Sequence, residues 1–330
     1  MEQLSQTLER FGGVYLLPFA LAVVAFIMIG APSSWVTLTV AGLAMGMMVF
    51  LMASGLSLVF GLMDVLNFGH SAFVSFGAFV AASVLAALGG WLGSDSVILN
   101  ALALILALLS AVAFGVVAGW FFESVIIKPV YKDHLRQILI TMGALIVSEQ
   151  VILAIWGGTP ITVHRPQFLE GAFIFGDVSI EVYRVFAFVL GLAVFIGLHV
   201  LLNRTRIGLL IRAGVENREM VESLGFRIDR LFIGVFVLGS ALAALGGAMW
   251  AGYVTLITPA LGAEMMIVVF IVVIIGGLGS IQGTLLGAII VGLTANYIGY
   301  LAPKLSLASN MLLMMAILMW RPNGLRPAVK

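Results

Sequence analysis

The stretch "GLMDVLNFGHSAFVSFGAF", residues 61–79, decides how the rest of the chain is read. Asp64, Asn67 and His70 stand close together there, fenced by Gly61, Gly69 and Gly77, with apolar sequence on both sides. An ionisable residue inside a membrane-crossing helix costs about 2.5–3.5 kcal/mol or more, so one kept there marks a functional-site candidate. The competing reading is a short turn at the cytoplasmic membrane face, where Asp and Asn are ordinary turn residues. The glycines favour a helix that stops and restarts within the bilayer. Irregular backbone at that depth survives only where it is buried in protein or lines a wet cavity.

Composition leaves lipid as the solvent. The 330 residues are 62% hydrophobic and 9% charged, with a mean hydropathy of +1.19, against about 25% charged in an ordinary globular domain. A net charge of +1 without a basic patch excludes a nucleic-acid partner. With no cysteine and four scattered histidines, neither a disulfide framework nor a thiolate metal site is expected. The apolar run at 14–31 follows Glu2, Glu9 and Arg10 and lacks a clean small-x-small site, so it reads as an uncleaved first span.

A spanning helix needs about 20 mostly apolar residues. Ten candidates fit: 14–31, 35–61, 71–91, 97–122, 138–156, 182–202, 231–254, 264–277, 281–301 and 305–320, the eighth and tenth being short. Eight to ten spans are expected. Basic loops are retained in the cytoplasm. With the N-terminus inside, the inward segments hold 13 of the 16 Lys and Arg, and only Arg165, Arg184 and Lys304 lie outside. Both termini are therefore expected in the cytoplasm. Small residues four apart, Gly42/Gly46, Gly115/Gly119 and Gly279/Gly283/Gly287, read as helix-packing faces.

A second break lies in "IIGGLGSIQGTLLGAII", 274–290. Its Gly277-x-Gly279 is no dinucleotide fingerprint, because Gln282 takes the sixth position and no βαβ unit surrounds it. One Gly-rich interruption in each half points to a transport site between related halves. A third polar cluster, Ser148-Glu149-Gln150, falls inside the span 138–156, facing the bundle interior or pairing with a basic group. His199 reads as an interfacial residue.

The longest inward loop, "NRTRIGLLIRAGVENREMVESLGFRIDRL" (203–231), mixes six Arg with Glu216, Glu219, Glu222 and Asp229. A short amphipathic helix at 217–224 with Gly225 at its C-terminal cap is expected. It fits either a membrane-surface helix or a docking element, and its four acids favour a protein partner over an anionic leaflet. No G-x-x-x-x-G-K-[ST], H-E-x-x-H or G-x-S-x-G occurs, so the chain carries neither its own P-loop nor a recognisable catalytic constellation.

Four stretches in order, "GLSLVFGLMDVLNFGHSAFVSFGAFVAA", "RAGVENREMVESLGFRIDR", "VIIGGLGSIQGTLLGAIIVGL" and "RPNGL", resemble the permease subunits of branched-chain amino acid ABC importers. The N-F-G-H form is more similar to the H-type permease than to its M-type paralogue. The resemblance covers about 35–325. It implies an all-α polytopic protein of the bacterial inner membrane, one transmembrane permease domain over 1–330, with Gly-interrupted helices lining a central path. It also implies a second, M-type permease, two ATP-binding subunits that bind the ATP, and an extracytoplasmic solute-binding protein, with no cofactor or metal in this chain.

Carried onto these residues, the resemblance makes 203–230 the coupling segment, through Arg212, Gly214, Glu216, Asn217, Glu219, Glu222 and Gly225. Asp64, Asn67, His70, Ser71, Gly279 and Gln282 become the solute path. The "EAA" of importer permeases is replaced by Val215-Glu216-Asn217. The solute implied is a branched-chain or related amino acid. The alternative is a stand-alone secondary transporter or channel for a small polar solute such as urea or a short amide.

Overall fold

Helix α2 (Pro32–Met63) is the axis of the molecule; besides the single turn Gly89–Leu92, the helices of this part are α1 (Leu17–Ile29), α3 (His70–Ala87), α4 (Val97–Phe122), α5 (His134–Trp156) and α6 (Val182–Arg204). Two short helices, α7 (Arg206–Glu216) and α8 (Arg218–Ser223), precede α9 (Ile228–Val254), α10 (Leu261–Gly276), α11 (Ile281–Leu301) and α12 (Ser306–Trp320). The computed structural model describes residues 13–327 apart from Asp64, Leu66, Lys132 and Asn217; the side chains of 215–219 and Leu307 lie outside the description. The expected roles of Asp64 and Asn217, and of the Glu216 and Glu219 side chains, therefore fall outside the described residues.

Among the described residues, seven helices are long and apolar enough to cross a membrane, and three shorter apolar helices, Gly13–Ile29, Leu261–Gly276 and Ala308–Trp320, accompany them. The first span joins the eighth and tenth as short, because Gly30 at φ +69° and then Pro32 end it. The fourth runs on past Phe122 through a π-helical turn, Glu123–Ile127. Helix α2 is about 48 Å long at 1.5 Å per residue, well over the roughly 30 Å hydrocarbon core.

Burial separates a centre from a periphery. In the most apolar stretch of α2, 83% of residues are buried, against 11% in α5 and 17% in α6. Helices α3, α9 and α11 pack most heavily on α2 or on each other. Small residues make this possible, as expected. A Cβ added at Gly42 would meet Leu293 Cα at 2.9 Å, one at Gly46 would meet Ala288 O at 2.8 Å, and one at Gly115 would meet Ala241 Cα at 2.9 Å. Backbones so close gain dispersion contact with little side-chain entropy lost, which is how helices associate where lipid offers no hydrophobic drive.

The end of the bundle away from α7 and α8 carries what little β structure there is. Strands β2 (Ala172–Phe175) and β3 (Val178–Glu181) form a hairpin, and β1 (Ile161–Thr162) pairs with β4 (Leu256–Ile257). Arg165 fastens this region to α9, giving Nε to the Gly252 carbonyl and Nη2 to the Tyr253 carbonyl, with Nη1 3.3 Å from Glu181 Oε2.

Candidate functional site: two helix breaks

Helix α2 ends at Met63 and α3 begins at His70. The restart lies well up the preceding helix. His70 Nε2 donates to the Met52 carbonyl at 2.9 Å, and Met52 stands eleven residues, about 16 Å, before the end of α2. The first residue of α3 therefore lies alongside α2 instead of beyond its end, as the interrupted-helix reading expects. Glycine permits the approach: a Cβ on Gly55 would strike both the Gly239 backbone and His70 Cε1. The Phe68 amide donates to Thr141 Oγ1 at 3.2 Å and so anchors the break to α5.

What the break holds is polar and buried. Asn67 is 0% exposed, and His70 and Ser71 are each 1% exposed. Both polar atoms of the Asn67 side chain, His70 Nδ1 and Ser71 Oγ have no hydrogen-bond partner among the described residues. Since His70 Nε2 donates, the ring carries its proton there and Nδ1 presents a lone pair. Ser57 Oγ and Ser75 Oγ are also buried and unpartnered. Sequence reading missed these two, because a serine in an apolar span can satisfy itself on its own helix. Ser75 lies against α10: a Cβ on Gly262 would meet Ser71 O and Ser75 Oγ, each at 2.6 Å. Orphaned polar atoms at this depth cost about 1–3 kcal/mol each unless something else satisfies them.

The second break joins α10 to α11. Gly277 and Gly279 have φ of +100° and +80°, and Ser280 caps α11 by accepting from the Gly283 amide at 3.1 Å. The chain's last described residues cover this break. The amides of Leu325 and Arg326 donate to the carbonyls of Ile275 and Gly276 at 2.8 and 3.0 Å. The quoted RPNGL stretch is thus a backbone cover over the second break. Gly279 packs on Gly61, and the Phe68 and Phe270 rings lie 4.9 Å apart, so the two breaks touch. Gln282 is part-buried and points elsewhere, to His199.

The loop 203–230 forms two helices where one was expected. The short one ends as anticipated at Gly225, φ +87°. Its Phe226 amide donates to Val221 O and its Gly225 amide to Glu222 O, the paired bonds of a Schellman cap. Gly214 is buried against Ile228 while Arg212 is exposed. Leu209, Leu224 and Phe226 are exposed on the same segment. Glu149 is half-buried and Gln150 exposed on α5; among the described residues no hydrogen bond or ion pair joins Glu149 to a basic group, so of the two expected alternatives the pairing is not the one seen. Among the described residues no three His, Asp or Glu stand close enough to hold a metal ion.

The family model described as branched-chain amino acid transport system / permease component matches residues 38–320. The chain belongs to this permease family. The permease protein LivH of Salmonella typhimurium is 28% identical over 298 residues, covering 88% of this chain and 95% of LivH. LivH of Escherichia coli K12 is 26% identical over 303 residues with the same coverage. BraD of Pseudomonas aeruginosa is 27% identical over 298 residues, again with the same coverage. The family match takes in both helix breaks and the segment 203–230, so the polar seam and the charged loop belong to the permease unit itself. This permease is a multi-pass, all-α membrane protein.

Proposed function

We propose that this permease is the membrane-spanning subunit of an ABC importer for branched-chain or chemically related amino acids. The observation that carries this reading is the family match across 38–320. The burial of Asn67, His70 and Ser71 with unpartnered polar atoms supports a solute path through the first break. A zwitterion needs donors for its carboxylate and acceptors for its ammonium. Asn67 supplies both, the His70 Nδ1 lone pair accepts, and the hydroxyls of Ser71, Ser57 and Ser75 do either. Asp64 and Gly279 complete the proposed path, with Gly279 acting through backbone contact, whereas the Gln282 side chain turns to His199 instead.

The whole chain acts as one permease domain with both termini in the cytoplasm of a bacterial inner membrane. Its partners are an M-type paralogous permease, two ATPase subunits and an extracytoplasmic binding protein. The segment 203–230 docks the ATPase, using the residues from Arg212 to Gly225 named above. Exposed apolar Leu209, Leu224 and Phe226 among the charges suit a protein surface. The energy comes from ATP bound by the partner subunits.

The test is purification of this permease from its host membrane, followed by ATP hydrolysis and leucine uptake after reconstitution. The expected result is a co-purifying ATPase that is lost in a Glu216→Arg, Glu219→Arg double variant. A chain that arrives alone and moves solute under an ion gradient would overturn the reading.

A further inference from the structure

A chain of side-chain hydrogen bonds leaves the charged segment and ends beside the second break. Arg212 on α7 gives Nη1 to Asn203 Oδ1 at 3.1 Å. Asn203, in the last turn of α6, gives Nδ2 to the His199 carbonyl at 3.0 Å and lies 3.2 Å from His199 Nδ1. Gln282 Nε2, in the first turn of α11, stands 3.3 Å from the same Nδ1. Both NH2 groups are donors that face the single Nδ1 lone pair, which they share, so the ring carries its proton on Nε2. The Phe195 ring lies 6.0 Å from the imidazole, centroid to centroid.

Three features make this more than surface decoration. Helices α6 and α11 touch little elsewhere, and among the described residues His199–Gln282 is the one side-chain hydrogen bond between them. Gln282 and His199 are part-buried, so water competes less for that bond than at the exposed Asn203–Arg212 end. Gln282 also lies two residues after Ser280 and three after Gly279, and Gly279 packs on Gly61 in the last turn of α2.

We infer that His199 and Asn203 are positioning residues that transmit movement of the charged segment to the Gly277–Ser280 break. The inference rests on the importer reading above, in which 203–230 receives the ATPase. It assigns a role to His199 beyond that of an interfacial residue. A network of this kind needs a coupling measurement, since spatial continuity alone does not establish energetic coupling.

The experiment reconstitutes the purified complex in nanodiscs with L-leucine and its binding protein, and reads uptake per ATP hydrolysed. The variants are His199→Leu, Gln282→Leu, their double, and His199→Gln, whose amide oxygen can accept from both neighbours. Each Leu variant is expected to retain the bound ATPase yet lose roughly two- to thirtyfold in uptake per ATP, the range of such couplings. The double variant should lose no more than either single one, and His199→Gln should recover most of the loss. Unchanged coupling in both single variants, or losses that multiply in the double, would overturn the inference. If His199→Leu fails to assemble, Asn203→Ala at its exposed position gives the same reading. A wild-type complex that brings no ATPase would overturn the importer reading and this one together, whereas an assembled but fully coupled variant overturns only this one.

Discussion

Gly61, near the end of α2, packs against Gly279 in the turn between α10 and α11, backbone to backbone, so closely that a Cβ on Gly61 would overlap the Gly279 Cα. Two interruptions about 215 residues apart in sequence thus share one contact. A backbone neighbour cannot swing aside as a side chain can, so the contact tolerates no added atom. The second partner is constrained twice, because Gly279 also sits at φ +80°, where L side chains are strained.

Gly61→Ala should therefore destabilise the permease by about 1–3 kcal/mol, as overpacking in a filled interior does. Thermal unfolding in detergent measures it. Gly279→Ala should lower the midpoint as well, since it adds backbone strain at a left-handed position. A wild-type midpoint for Gly61→Ala would mean that the breaks part easily and do not form one unit.

Asn67 separates a structural role from a transport role by sign. Its side chain is fully buried with neither polar atom paired, so Asn67→Leu removes an uncompensated group worth about 1–3 kcal/mol of desolvation. Stability should hold or rise while leucine uptake falls. A variant that melts earlier and still transports at the wild-type rate would show Asn67 to be a packing residue.

His70 behaves in the opposite way. Its Nε2–H bond to the Met52 carbonyl pins the restart of α3 against α2. His70→Phe keeps the ring's bulk but removes the donor, and should cost about 0.5–1.5 kcal/mol. Increased cleavage by protease near the break, together with a lower midpoint, is the expected readout.

Arg165 holds the opposite end of the bundle. Its side chain is 16% exposed and joins the Gly252 and Tyr253 carbonyls to Glu181. Arg165→Met should cost at least about 1.5–3 kcal/mol, the worth of a hydrogen bond to a charged group. High salt should change the wild-type midpoint little, because the carbonyl bonds are shielded from solvent. The salt bridge Arg184–Glu181 at 2.7 Å should survive the change and leave the β2–β3 hairpin in place.

The tail residues over the second break give a further check. Gly324 has φ +82° and approaches Gly277 closely, so Gly324→Val should strip the Leu325 and Arg326 amides from their carbonyl partners. Faster hydrogen exchange at those two amides, with α2 and α3 unchanged, is the expected result.

The apolar spans, the two Gly-rich breaks and the Gly225 cap were all legible along the chain, because each follows from local chemistry. Hydropathy sets which segments can enter lipid, glycine sets where a helix can stop, and a positive φ sets where one can be capped. The quoted motifs also carried the family. The tertiary structure decided which of those local features meet. Only packing could place Gly61 on Gly279, draw His70 back to Met52, fold the RPNGL stretch over Ile275 and Gly276, and join Arg212 to Gln282 through Asn203 and His199. It also singled out Ser57 and Ser75, whose buried hydroxyls look like any span serine until their partners are sought. The physical reason is that contacts between distant segments depend on helix tilt and depth, which side-chain periodicity does not encode when every face of a helix is apolar.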